Sequence, residues 1–374
     1  MISEHGALPR AETRLAVFDR FNNIGQNGME TSASSLAKPA DDVRARMWDM
    51  ITAYRVSQVV RCAATFSLAE HCEAGGVITA ESIARLEQIN PDATGRLLRG
   101  CVALGLLTSE DGTHFRATPL LNILRRDIDG SQWGFAISLP APGHWGPWGK
   151  LPEAVRTGNA QGTQSEGTLF DYYDTHAEEA SAFMEGLDGM TAVAGAAAAS
   201  LIDTSGIEQS IDVGGATGTL THALMKANPR LHGIVYDVPA VAEQAAQAAR
   251  TLGLEDRLTA VGGNFFNSVP AGGNIYLLRY VLHDWNDAEC VQILQNCRNA
   301  MTGNAKLYVL EMVVSSTAED PVVAMQDLNM LAVLHGRERS LAEFDRLFDQ
   351  AGLKRTAAIA TNSPMWIIEA MASS

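Results

Sequence analysis

A histidine at the end of an apolar run is the first residue here whose type and position suggest chemistry. The run YLLRYVL, residues 276–282, is followed at once by His283, Asp284 and Trp285. Imidazole exchanges its proton near neutral pH, so His283 is a candidate general base. A histidine in such a place is otherwise a hydrogen-bonded structural residue. Two acids could fix its tautomer: Glu311, closing the run KLYVL, and Glu338 in HGRERS. A carboxylate on the far ring nitrogen is how a histidine base is prepared. Upstream, Asp212, Gly214, Gly215, Ala216 and Gly218 lie in DVGGATG. Glycine is wanted where backbone must approach a ligand with no Cβ between them. A dinucleotide fingerprint would need glycine at position 213, which is Val213. The pattern that nearly fits is D-x-G-x-G-x-G, with Ala216 at its central glycine. Asp237, ending the next apolar run, could accept both hydroxyls of a ribose or cap the helix that starts at Val238-Pro239.

These residues need a scaffold, and the surrounding pattern supplies one. Short apolar bursts at 210–213, 231–236, 258–261, 274–280 and 306–310 alternate with helical patterns at 219–227, 238–252, 286–300, 322–334 and 341–351. Such alternation predicts an open parallel sheet covered on both faces, with its ligand outside the carboxyl ends of the strands. The last bursts, 355–360 and 365–369, are separated only by TNSP and predict an antiparallel hairpin.

The N-terminal part reads differently. Residues 1–42 carry no sustained period, which suggests a mobile arm or a segment ordered against a partner subunit. Met47, Ile51, Tyr54, Gln58 and Val59 predict one amphipathic helix running on through Phe66. Thr79 caps the next, with Ile83 and Leu86 inward, and Asn90-Pro91 opens a third. A hairpin around Asp111-Gly112 completes a winged helix. That fold often reads DNA, but Arg96 and Arg99 stand alone, and the net charge of -15 disfavours a phosphate backbone or an anionic membrane. Trp133, Phe135, Trp145 and Trp148, interleaved with prolines, suggest a turn-rich pocket wall, a subunit contact or a packed linker. Phe183, Leu187, Met190 and Thr191 then share one helix face. The division is 1–42 arm, 43–130 winged helix, 131–202 helical connector and 203–374 catalytic domain, within a 374-residue chain that is 46% hydrophobic.

Five cysteines without a CxxC pair suit a reducing cytoplasm, and Cys290 and Cys297 read as core. The opening residues lack the apolar region of a signal peptide, and Val193 to Ile202 is too short to span a bilayer. The expectation is a soluble, cytoplasmic protein with no membrane or nucleic-acid partner.

DVGGATG, the Asp237-Val238-Pro239 step, GGNFF, YVLHDWNDAECVQIL, KLYVLE, MQDLNML and GRERS together resemble the plant-type (caffeic-acid-like) small-molecule O-methyltransferases and their bacterial natural-product relatives. The resemblance spans roughly residues 43–374, and HDW with its flanks is its most specific part. It implies a Rossmann-like class I methyltransferase sheet with an antiparallel C-terminal hairpin, plus a mostly α winged-helix dimerisation domain. It implies S-adenosylmethionine as cofactor, no metal, an aromatic small-molecule acceptor and a homodimer. By the same resemblance, His283 is the base flanked by Glu311 and Glu338. Thr191, Gly214, Gly215, Asp237, Asn264, Phe265 and Arg279 hold the cofactor, and Leu187, Asp284, Met330 and Leu334 line the acceptor pocket. Asn264 stands where aspartate is common, and its amide carbonyl could still accept from an adenine amino group. Two rival readings remain at this stage. One is the same fold turned to pericyclic or hydroxylation chemistry; the other is a winged-helix regulator binding DNA.

Overall fold

The computed structural model describes residues 40–162, 169–315 and 320–373, apart from the side chains of 40, 41, 74 and 191–197. Most of the expected N-terminal arm therefore lies outside the described residues. Residues 1–53 and 54–374 are separate compact units. In the first, the helix Ala40–Thr52 exposes Val43, Met47, Trp48 and Ile51. It ends in a tightened turn, Ala53 N–H donating to the Met50 carbonyl at 3.4 Å. The second unit opens with Tyr54–Thr65, so the single helix expected here is two.

The helices Ala80–Glu87 and Pro91–Ala103 follow, then β1 (Leu107–Thr108) paired antiparallel with β2 (Arg116–Ala117). Thr79 accepts from Ser82 N–H in a reciprocal cap, as its residue type predicts. Ile83 is fully buried, but Leu86 is 58% exposed. The short helix buries Ile83 and Ala84, and Leu86 falls outside that stripe. Arg96 and Arg99 are exposed, on a helix whose buried side carries Thr94, Leu98 and Cys101.

The segment expected to be turn-rich forms three short helices, Trp133–Ser138, Pro142–Gly149 and Leu151–Thr157. Pro142 and Pro152 each sit in the first helical turn, where the missing N–H costs nothing. These two prolines open helices rather than breaking them, and Pro147 lies within the helix Pro142–Gly149. The long helix Ala177–Leu201 packs against Trp133–Ser138. A Cβ on Gly134 would strike the Ala182 carbonyl and the backbone of Gly186. That close approach brings the Phe135 and Phe183 rings to 6.1 Å.

The large sheet has seven strands in the order β5-β4-β3-β6-β7-β9-β8. These are β3 (Gln209–Val213), β4 (His232–Asp237), β5 (Leu258–Gly262), β6 (Ile275–Arg279), β7 (Lys306–Met312), β8 (Leu353–Ala360) and β9 (Met365–Ala372). The first five are parallel; β9 runs antiparallel to β7, and β8 antiparallel to β9. Ile211, Val213, Leu277 and Val309 are fully buried, the mark of strands covered on both faces. Cys290 and Cys297 are buried free thiols on the helix Asp287–Ala300, as core positions. The chain reverses between β3 and β6, and loops past their carboxyl ends meet at that switch point. DVGGATG and HDW are those loops.

Candidate active site

The strand β6 ends at Arg279, and Tyr280 takes a left-handed φ of 51°. That conformation is costly for a non-glycine residue, on the order of 1 kcal/mol. It throws the chain into the short 3₁₀ turn Leu282–Asp284, which presents His283. The turn is braced from behind. Glu311 accepts from the Val281 and Leu282 N–H groups at 3.0 and 2.9 Å. The buried Arg339 guanidinium donates to the Leu282 and Trp285 carbonyls, both at 2.8 Å, and reaches Asp287.

His283 Nδ1 lies 2.8 Å from Glu338 Oε1 and 3.9 Å from Glu311 Oε2. Of the two acids expected to flank the histidine, Glu338 is therefore the direct partner. An anionic Glu338 can only accept, which places a hydrogen on Nδ1 and leaves Nε2 as the basic atom. Nε2 is 3.4 Å from Asp284 Oδ1. Burial pushes the imidazole down, but Asp284, Glu311 and Glu338 outweigh it and raise its pKa to about 10. Burial raises Asp284 to about 6 and Glu311 to about 7, each opposed by His283.

These shifts share one sign. The folded state keeps the His283 proton from the ordinary 6.5 up to about 10, so the stability it contributes is complete below 6.5 and lost as pH rises through 10. Asp284 and Glu311, raised from 3.8 and 4.5, act in the same sense at lower pH. The melting temperature should fall between pH 7 and 10, and His283→Asn should flatten that slope. A wild-type melting temperature that climbs over this range contradicts the assignment.

Beside the histidine, Gly214, Ala216 and Gly218 all have positive φ, 69°, 49° and 85°. Ala216 thus keeps the glycine conformation at roughly 1 kcal/mol of strain. Its departure from the glycine pattern is a strained backbone rather than a reshaped turn. Asp237 accepts from Ala216 N–H at 3.0 Å and Val238 N–H at 2.7 Å, pinning the turn to the end of β4. The following helix Pro239–Thr251 has no side-chain cap.

A cavity of about 300 Å³ connects the two loops. Gly214, Gly215, Arg279, His283, Asp284, Leu187, Met330 and Leu334 line it. Glu311 and Glu338 sit behind His283, fully covered. Asp237, Asn264 and Phe265 are not part of the lining; they follow the same strand edge beyond it. Phe265 packs edge-on against Trp285 at 6.0 Å. The Asn264 carbonyl oxygen accepts from Phe266 N–H at 2.8 Å, which fixes the amide and leaves the oxygen its second lone pair. Thr191 lies on the helix Ala177–Leu201, with its side chain outside the described residues.

The lining also includes Asp188, His144 and Asn329, which the sequence does not single out, and Asp212, which it marks only as part of the glycine pattern. Asp188 accepts from the Thr217 hydroxyl at 2.6 Å, and Asp212 from Thr221 at 2.8 Å. Burial raises both acids, Asp212 to about 6. The signal was present: an acid beside Leu187 on an otherwise apolar helix face is out of place unless something polar faces it.

Arg279 Nε and Nη2 are buried with no hydrogen-bond partner. Burial lowers the proton affinity of this guanidinium, and Tyr280, Asp212, Glu311 and Asp188 oppose the loss. Orphaned donors on a buried cation require an anion. A guanidinium, a neighbouring carboxylate and a glycine cradle fit an amino-acid moiety, and hence S-adenosylmethionine. His283, Glu311 and Glu338 also lie close enough together to be compatible with a metal ion, although Glu338 is already hydrogen-bonded to the imidazole.

Residues 48–126 match the O-methyltransferase dimerisation domain. A phenazine O-methyltransferase of Lysobacter antibioticus is 33% identical over 322 residues, covering 86% of this chain and 94% of that protein. The crystal structure of LaPhzM superposes with a TM-score of 0.85 at 31% identity, covering 88% of this chain and 99% of that one. An O-methyltransferase from neocarzinostatin biosynthesis, solved with S-adenosylmethionine and 2-hydroxy-5-methyl naphthoic acid, gives 0.74 at 29% identity over 92% and 100%. The five parallel strands and both loops belong to a stretch, residues 148–354, that matches the O-methyltransferase domain, and the chain accordingly belongs to the O-methyltransferase family.

Proposed function

We propose that this S-adenosylmethionine-dependent O-methyltransferase methylates a hydroxyl of an aromatic small molecule, with His283 Nε2 as the general base. The observation that carries the reading is the buried His283–Glu338 pair, 2.8 Å apart at the wall of an apolar cavity. When bound, S-adenosylmethionine supplies an electrophilic methyl on a sulfonium. Arg279 would hold its carboxylate, Asp188 its ammonium, and Gly214, Gly215 and Asp237 its backbone and ribose. Asn264 and Phe265 would flank the adenine, and Thr191 would lie nearby.

The carboxylates set the strength of the base. A phenol near pKa ~10 facing an ordinary imidazole near ~6.5 leaves proton transfer about 5 kcal/mol uphill. Raised to about 10, His283 matches the phenol. His283 must first give up its own proton, and a second cation entering the cavity favours that loss. Glu338 then holds the ring in place and stabilises the imidazolium formed as the hydroxyl proton leaves. Leu187, Met330 and Leu334 would exclude water around the acceptor, with Asp284 at its edge.

The dimerisation domain indicates a homodimer. The exposed Met47, Trp48 and Ile51 offer it an apolar face. None of the described helices is long and apolar enough to cross a membrane. The reading is tested by label transfer from methyl-labelled S-adenosylmethionine to a panel of aryl alcohols and polycyclic phenols. Label in an ether product supports it; cofactor binding with no transfer to any acceptor favours the non-methylating reading instead.

A further inference from the structure

Two polar side chains interrupt the apolar half of the cavity, and each is held by an aromatic neighbour. Trp148 Nε1–H donates to Asn329 Oδ1 at 2.8 Å. That bond fixes the amide and leaves its NH₂ group with no partner among the described residues. Asn329 lines the cavity, so the free donor belongs to the acceptor space. His144 lines it too, buried, with the Tyr173 hydroxyl 3.3 Å from its Nδ1.

Burial lowers His144 to about 4, so the ring is neutral at pH 7. Burial raises Tyr173, which keeps its phenolic proton. His144 is the hydrogen-bond partner of that hydroxyl, and a buried O–H is costlier to leave unpaired than a lone pair. Tyr173 therefore donates to Nδ1, and the imidazole hydrogen sits on Nε2. The Asn329 amide and His144 Nε2–H are thus neutral donors at the cavity, beside the Gln326 amide and the Tyr280 hydroxyl in the same lining. The first two border one apolar cluster: Tyr173 packs against Leu169, Met330, Val333 and Leu334, and Asn329 directly precedes Met330.

Donors in an apolar wall select an acceptor oxygen, because a ligand without one leaves them desolvated and unpaired. With Arg279 assigned to the cofactor's carboxylate, the lining Asp188, Asp212 and Asp284 disfavour a second anion in the acceptor space. We propose that the methyl acceptor is a neutral aromatic molecule bearing a carbonyl oxygen besides its hydroxyl, of the hydroxyquinone or hydroxyaryl ketone class, and that Asn329 donates to that oxygen with His144 as the second donor. This rests on the methyl-transfer reading for the role of the ligand, though the recognition itself does not require turnover.

The test compares 2-hydroxyanthraquinone with 2-hydroxyanthracene, which differ only in the carbonyls. Affinity is measured by fluorescence titration on the wild type, Asn329→Leu and Trp148→Phe, with label transfer run in parallel. The wild type should bind the quinone about tenfold tighter or more. Asn329→Leu should lose about tenfold for the quinone and a smaller factor for the hydrocarbon, and Trp148→Phe should lose an intermediate amount. Equal affinities in the wild type, equal losses in Asn329→Leu, or no binding of either compound overturn the carbonyl assignment. Selective binding without label transfer keeps the assignment and removes the methyl-transfer reading. Transfer to both compounds without selectivity does the reverse.

Discussion

His283→Ala should lower kcat by roughly 10² to 10⁴ while leaving S-adenosylmethionine affinity within about threefold. Among the described residues His283 is the imidazole placed against both Glu338 and the cavity, and Asp284, 3.4 Å from Nε2 and raised only to about 6, is a much weaker base. Cofactor affinity should survive because the orphaned Arg279 donors and the glycine turn are separate contacts. Single-turnover rates and cofactor titration on the same protein separate the two effects. Glu338→Gln sharpens the test. Removing that charge lowers the imidazole pKa, so the rising limb of the pH–rate profile should move to lower pH while its plateau falls. Glu311→Gln should shift the limb in the same direction through charge alone, since its distance to Nδ1 is 3.9 Å. A His283→Ala enzyme that keeps wild-type turnover would remove the base from the mechanism.

The second large effect is structural. Arg339→Met should cost about 3 kcal/mol of stability and lower turnover as well. The guanidinium is only 1% exposed, and it satisfies the Leu282 and Trp285 carbonyls on either side of His283 and Asp284. Methionine fills the volume but removes the charged donor from both carbonyls, leaving Leu282 only the Trp285 N–H and the Cys290 thiol and Trp285 only that thiol, at roughly 1–3 kcal/mol each before relaxation. Denaturant unfolding read alongside kcat checks both parts. A variant as stable as the wild type would show that the turn is held by Glu311 and the Cys290 thiol, which lies 3.1 Å from the Leu282 carbonyl. Gly336→Ala should act at the same seam, because its Cβ would fall on the His283 carbonyl.

The sequence by itself determined most of the elements and singled out the candidate base. Apolar bursts with β-branched residues placed the strands, since a strand buried on both faces needs side chains of that kind along its whole length. Capping residues such as Thr79 and Asn286 marked helix starts, because they satisfy orphan N–H groups within three residues. The glycine turn and HDW were legible for the same reason: each is a local conformation with a local residue requirement. The tertiary structure decided everything that depends on which distant residues meet. Glu311 and Glu338 looked equivalent as a partner for His283, yet one braces the turn and the other, 55 residues away, binds the ring. Leu86 obeyed a helical period and still faces solvent, because none of the described elements packs over that side. Arg339, an ordinary charge in sequence, became a buried clamp, and Asn329 and His144 became donors through Trp148 and Tyr173. Spacing encodes a periodic backbone, but hydrogen-bond partners separated by tens of residues are fixed only when the sheet order brings their loops to one edge.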